Sequence, residues 1–274
     1  MDWNKTYAAI YRARKDYLKP IFEIDPITLK DLVGMESQKK ALYENTLNFI
    51  QDKGANHALL WGSKGTGKSS LIKAIFNEFK DQGLRLVELN KEDLFALVDI
   101  IDEIRLENFK FILFCDDFSF EKGDDSYKFL KPLLEGSIEK APNNVIIYAS
   151  SNRRHLLSES IADNLDTQIA HTDRRHLLSE SIADNLDTQI AHTELHLSDA
   201  AEERLSLSDR FGLWLSFYQG NLEEYLKMID FYFKDYSCDK ELLHAKAKEF
   251  ATLRASRSGR TAKQFYLAFK ENFK

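Results

Sequence analysis

The most chemically explicit stretch of the chain is Gly62-Ser63-Lys64-Gly65-Thr66-Gly67-Lys68-Ser69. It matches G-x-x-x-x-G-K-[ST], the spacing of a loop that cradles phosphates. Gly62, Gly65 and Gly67 let the backbone turn tightly and aim its N–H groups at an anion. The helix expected to begin near Lys68 adds the positive end of its dipole. In this pattern Lys68 reaches the β- and γ-phosphates and the Ser69 hydroxyl takes Mg2+. A second metal-holding group is expected at the end of another buried strand. Phe111 to Cys115 reads as such a strand, and Asp116-Asp117 follow it. Asp116 is placed to hold Mg2+ through water, and Asp117 to orient and activate an attacking water. The chemistry implied is phosphoryl transfer from a nucleoside triphosphate.

Other patterns carry less. Asn90-Lys91-Glu92-Asp93 matches the guanine-reading N-K-x-D, but that motif lies beyond the strand of the Mg2+ aspartate in GTPases and here lies before it. Asp209, Arg210, Phe211 and Gly212 spell D-x-x-G out of context. Seven histidines show no zinc spacing, and no Cys–His pair suggests a nucleophile.

The elements that must position these groups alternate. A helix is expected over residues 1–20, from Trp3, Tyr7, Ile10, Tyr11 and Tyr17, broken by Pro20 and Pro26. A second runs from Leu32 to Gln51 and ends at Gly54. His57 to Trp61 reads as a strand. The glycine turn and an amphipathic helix with Leu71, Ile72, Ile75, Phe76 and Phe79 follow, and Gly83 ends that helix. Leu84 to Leu89 is a strand, Leu94 to Ile104 a helix, Tyr127 to Lys140 a helix, and Val145 to Ala149 a strand. Leu205 to Phe217 ends in a last strand, Leu222 to Tyr232 is helical, and Thr261 caps a final helix. Alternation of this kind predicts an α/β fold with a parallel sheet sandwiched by helices. The expected organisation is an N-terminal helix and linker (1–30), a nucleotide-binding α/β domain (31–219) and a small helical domain (220–274).

One segment is anomalous. Residues 153–172 recur letter for letter as residues 174–193, at an offset of 21. Solenoid repeats need at least three copies and tolerate drift. Two perfect copies read as a recent tandem duplication or an error in the record, with one copy in the fold and the other an insert.

Composition sets the outer bounds. The 274 residues carry a net charge of −6, against a protein that coats nucleic acid indiscriminately. Two cysteines cannot make a disulfide framework, no apolar run is long enough to span a membrane, and no signal peptide opens the chain, so a cytoplasmic protein is expected. Charge is polarised: residues 92–125 hold eleven acidic against three basic residues, and residues 244–274 eight basic against two acidic. The basic stretch can meet nucleic acid or an acidic protein, or be a solvated helix face.

Taken with the phosphate loop, the chain from about Leu32 to its C-terminus resembles the AAA+ ATPases. In that family an L-V-G segment lines the adenine pocket, and Leu32-Val33-Gly34 stands there. The nucleotide loop then comprises residues Gly62 to Ser70. The resemblance makes Asn152 the "sensor 1" residue that positions water, and Arg210 the finger that reaches a neighbouring subunit's site. Arg260, in Ser258-Gly259-Arg260-Thr261, becomes the "sensor 2" arginine of a helical lid. Asn152-Arg153-Arg154-His155-Leu156, Leu207-Ser208-Asp209-Arg210-Phe211-Gly212 and Ser258-Gly259-Arg260-Thr261-Ala262 more narrowly resemble a group of bacterial single-domain AAA+ proteins of uncharacterised function. Two departures stand out: the family usually carries Glu where Asp117 stands, and the duplication falls between Asn152 and Arg210.

The resemblance implies an ATPase using ATP and Mg2+. It implies a ring or open-ring homo-oligomer, because one site draws on two chains, acting on an unknown protein or nucleic-acid partner and on no membrane. The rival expectation is a nucleotide-dependent switch or loader with little turnover. A small-molecule phosphotransferase is a third, but it gives Arg210 and Arg260 no joint role.

Overall fold

The computed structural model describes residues 1–119, 126–135, 138–152 and 209–273. Its centre is five parallel strands: β3 (Ala58–Gly62), β4 (Leu84–Leu89), β5 (Lys110–Cys115), β6 (Val145–Ser151) and β7 (Leu213–Phe217). Runs such as Phe111-Ile112-Leu113-Phe114-Cys115 are apolar at every position because both faces of a parallel sheet are covered. All five of those residues are buried.

Ahead of them stand β1 (Ala8–Arg12) and β2 (Tyr17–Ile21), giving seven strands in the order β2-β1-β4-β5-β6-β3-β7. The chain passes from β3 to β4, yet β3 lies between β6 and β7. This reversal of strand order opens a crevice at the carboxyl ends of the strands, where open α/β sheets bind ligands. In that crevice the loop after β3 meets the ends of β5 and β6.

Helices α1 (Glu36–Ile50) and α2 (Lys68–Phe79) contribute to the apolar cluster on one sheet face. Helices α3 (Leu97–Ile104) and α4 (Lys131–Glu135) contribute to the cluster on the other. Three further helices, α5 (Leu222–Tyr232), α6 (Lys240–Leu253) and α7 (Gly259–Phe269), build a third cluster with Tyr225, Ile229, Leu243, Ala247 and Phe265 at its centre. Helix α5 starts with a reciprocal cap, in which Asn221 and Glu224 bond each other's backbone N–H.

The expected N-terminal helix is corrected. Residues 8–21 form a hairpin, with Asp16 at φ 49° turning the chain. β1 pairs in parallel with β4, with Ala8 opposite Leu86 and Ile10 opposite Glu88. The aromatic spacing that suits a helix also suits alternation, and the free edge of β4 decides between them. The buried Arg85 fixes the choice. Its Nε donates to the Trp3 carbonyl at 2.8 Å, and its guanidinium lies 4.6 Å from the Tyr7 ring and 3.9 Å from the Phe109 ring. Pro20 sits in β2, an outer strand, where its missing N–H breaks no ladder.

Smaller corrections follow from local chemistry. The second helix begins at Glu36 rather than Leu32, because Gly34 takes φ 80°. The helix expected from Leu94 begins as a 3-10 turn, Lys91–Ala96, in which Asn90 bonds Asp93. In the segment expected to be helical from Tyr127 to Lys140, a 3-10 turn (Ser126–Leu130) comes first. The α-helix opens with Lys131 and Pro132, where a residue without an N–H is tolerated. The cap of α7 is Ser258, whose hydroxyl accepts from the Thr261 N–H at 3.3 Å, and Thr261 is the third helical residue. Both copies of the duplicated segment lie outside the described residues. No helix among the described residues is long and apolar enough to cross a membrane.

Candidate nucleotide site

The loop after β3 is shaped by its neighbours. Ser63 N–H donates to the Phe217 carbonyl at 3.0 Å, so the chain leaves the sheet pressed against β7. A Cβ on Gly62, which has φ 132°, would lie 1.9 Å from that same oxygen, so no larger residue fits there. Thr66 Oγ1 donates to the Ser63 carbonyl at 2.8 Å and closes the turn. Gly67 caps α2, whose first residue is Lys68.

Lys68 is 6% exposed, and its Nζ donates to the Gly62 and Ser63 carbonyls, both at 2.8 Å, and to Asn152 Oδ1 at 3.2 Å. Burial holds its pKa below the usual lysine value, partly offset by the charges of Asp116 and Asp117. The next residue, Ser69, donates from its Oγ to Asp116 Oδ1 at 2.6 Å. The Ser150 hydroxyl donates to the same carboxylate oxygen. Asp117 has φ 51°, and its carboxylate accepts from Asn152 Nδ2. The ends of β3, β5 and β6 thus deliver an ammonium, two carboxylates and an amide into one hydrogen-bonded group.

This group forms part of the lining of a cleft of about 760 Å³. Lys64, Gly65, Thr66, Gly67, Ser69 and Ser70 continue the phosphate side. Leu32 and Val33 line the cleft with Ile27 and Met35 from the body, and Met228 and Tyr232 come from α5. Arg260 and Lys263, one helical turn apart on α7, add positive charge. The Arg260 N–H lies 3.4 Å from the Gly65 carbonyl, and a Cβ on Gly65 (φ 79°) would lie 3.0 Å from Ser258 Oγ, so the loop and the start of α7 touch.

The cleft therefore gathers, of the expected residues, Leu32, Val33, the loop from Lys64 to Ser70, Asp116, Asp117, Asn152 and Arg260. Gly62, Ser63 and Arg210 do not line it. Arg210 precedes Phe211, which is buried and sits 6.5 Å from the Phe118 ring, one residue after Asp117. Ser150 was missed in the sequence reading, although alternation along β6 sets it two residues from Asn152. Met228 and Tyr232 were also missed. They lie nearly two hundred residues from Leu32 in the chain, and only the folded packing brings them near it.

A hydroxyl and a carboxylate 2.6 Å apart are hard oxygen donors, the kind Mg2+ takes when phosphates and water complete its shell. Cofactor and cleft fit in that respect.

A parallel sheet with a reversal beside β3, a phosphate loop on that strand, an aspartate pair after β5, an amide after β6 and C-terminal helices over the cleft define an AAA+ P-loop ATPase fold. Residues 4–173 and 167–272 match the family described as "Protein of unknown function (DUF815)", and the chain belongs to that family. The two matched stretches overlap in residues 167–173, inside the duplicated segment. A curated relative, the replication factor C large subunit of Staphylothermus marinus, is 35% identical over 81 residues. That match covers 29% of this chain and 18% of the relative, so the chain spans less than a fifth of it. Among solved structures, the RuvB Holliday junction branch migration motor of Thermotoga maritima superposes with a TM-score of 0.48 at 13% identity, covering 89% of this chain and 72% of that one. The FIGL-1 AAA domain in complex with ADP gives 0.49 at 16% identity, covering 83% and 68%.

Proposed function

We propose that this protein binds Mg2+–ATP in the cleft, hydrolyses it, and couples hydrolysis to a conformational change or the remodelling of a partner. The carrying observation is the continuous bonding of Lys68, Asn152 and Asp117, beside the Ser69–Asp116 pair. The loop N–H groups and Lys68 bind the phosphates, and Leu32 and Val33 face the base. Ser69 and Asp116 would hold Mg2+, which would supply charge neutralisation at the phosphates. Asp117 accepts a proton from, or orients, the attacking water, and Asn152 fixes that carboxylate. Arg260 senses the phosphates from α7, so that residues 220–274 act as a lid on the domain of residues 31–219. Arg210 serves the site of a second copy in a ring or open-ring homo-oligomer. The remodelled partner is a protein or a nucleic acid, and the setting is the cytoplasm.

ATP turnover against protein concentration tests this reading, with Lys68→Ala as the blank. Turnover that rises more than proportionally with concentration and collapses in Arg210→Ala supports a shared-site ATPase. Wild-type turnover equal to the blank, with ATP still bound, supports a second reading: a switch or loader that uses ATP binding alone. What favours the second is Asp117, whose side chain is one methylene shorter than the usual Glu and already bonded to Asn152.

A further inference from the structure

We propose that Ser150 is a positioning residue for hydrolysis, setting Asp116 and Asp117 in a single turn; this rests on the ATPase reading above. Ser150 lies on β6 and is 2% exposed. A serine hydroxyl has one proton and two lone pairs. Here the proton goes to Asp116 Oδ1, and a lone pair accepts from the Asp117 N–H at 3.2 Å. The Ser150 carbonyl accepts the next amide, that of Phe118, at 2.6 Å. One residue of β6 thus binds three consecutive residues after β5.

The turn held this way is unusual. Asp117 takes φ 51°, a left-handed conformation that most side chains avoid and that Asp and Asn tolerate best. The left-handed step sets the carboxylate of Asp117 beside the amide of Asn152 rather than along the strand. The oxygen of Asp116 that Ser150 bonds is also the one that accepts from Ser69, so the same hydroxyl orients the metal-side carboxylate. Without it, the Asp117 N–H keeps only the 3.1 Å contact to Asp116 Oδ1, and Asp116 loses the bond that ties it to β6.

The test compares wild type, Ser150→Ala and Ser150→Thr in the full chain. The readouts are kcat, KM for ATP, the Mg2+ concentration at half-maximal rate, and the melting transition. For Ser150→Ala we expect kcat to fall about tenfold or more, since small misplacements are costly at the reacting centre. KM for ATP stays near wild type, because the loop and base contacts are untouched, and the Mg2+ requirement rises. Ser150→Thr, which keeps the hydroxyl, recovers most of the rate. A Ser150→Ala kcat within about twofold of wild type overturns the proposal, as does a Ser150→Thr rate as low as that of Ser150→Ala with unchanged melting. A rate loss that tracks only the fall in melting temperature assigns Ser150 a structural role and overturns it too. Wild-type turnover equal to the Lys68→Ala blank overturns the ATPase reading itself, and this proposal with it.

Discussion

The Asn152 side chain stands between Lys68 and Asp117: its amide oxygen is 3.2 Å from the lysine Nζ, and its Nδ2 donates to the aspartate carboxylate. Only one orientation of the amide serves both neighbours. Reversed, it would set nitrogen against ammonium and oxygen against carboxylate. A phosphate-side cation and a water-side anion are therefore joined through one short polar side chain.

Asn152→Ala removes that link. The expected result is a kcat lowered about 10²-fold, because the Asp117 carboxylate loses its anchor. ATP affinity should change little, since Lys68 keeps the Gly62 and Ser63 carbonyls. Steady-state kinetics with equilibrium nucleotide binding separates the two effects. A proportionate loss of binding and rate would assign Asn152 to ground-state binding instead.

Asp117→Glu installs the residue more common in AAA+ proteins, and side-chain length alone predicts a gain in rate. The left-handed backbone predicts the reverse. Glu is less at ease than Asp at φ 51°, and its extra methylene pushes into Asn152. We expect kcat to fall about tenfold, with melting slightly lowered. A kcat above wild type would show that chain length, not turn geometry, limits the step.

Acid sensitivity of folding centres partly on His57. Burial lowers its pKa from 6.5 to about 4, and its Nδ1 accepts the Ile147 N–H at 3.0 Å, a bond that a proton on that nitrogen would abolish. The folded-state pKa lies below the unfolded one, so the unfolded chain binds more protons between pH 4 and 6.5. Stability is therefore undiminished above pH 6.5 and lost as pH falls towards 4. The shift corresponds to about 3 kcal/mol. Denaturant unfolding at several pH values checks it. His57→Asn should flatten that part of the profile, and an unchanged slope would remove His57 as the cause.

Arg85→Ala should cost about 3 kcal/mol, since it strips partners from the Trp3, Lys80 and Leu84 carbonyls together. The stacking on Tyr7 and Phe109 goes as well. Limited proteolysis should then cut first within residues 1–22, while ATP binding persists. Cleavage rates equal to wild type would count against the clamp.

How far these features could be read from the chain depended on the range of the forces behind them. Strands β3, β5 and β6 were readable because full burial leaves only apolar residues, as in Val145-Ile146-Ile147. Lys68 and Ser69 were readable because loop chemistry fixes their spacing, and Asp116 because it follows the fully apolar run of β5. The hairpin of residues 8–21 was not: Trp3, Tyr7 and Tyr11 fit two periods, and the deciding partner, β4, lies some seventy residues away. Ser150 looked like one more small strand residue, because its function is a contact with a different strand. Met228 and Tyr232 reach the cleft only through the packing of α5, which no local pattern records.

The N-terminal hairpin has a consequence for handling the protein. It covers one border of the sheet and offers in its place Lys19 and Pro20, a charge and a residue unable to donate, both poor templates for another strand. Beneath it, four of the six residues of β4 are apolar and buried: Leu84, Leu86, Val87 and Leu89. Trimming the first twenty-odd residues would leave a functional cleft intact on paper and uncover a sticky, unpaired border in practice. Such a shortened protein should precipitate or form β-rich aggregates on concentration, and the hairpin belongs in any version made for assay.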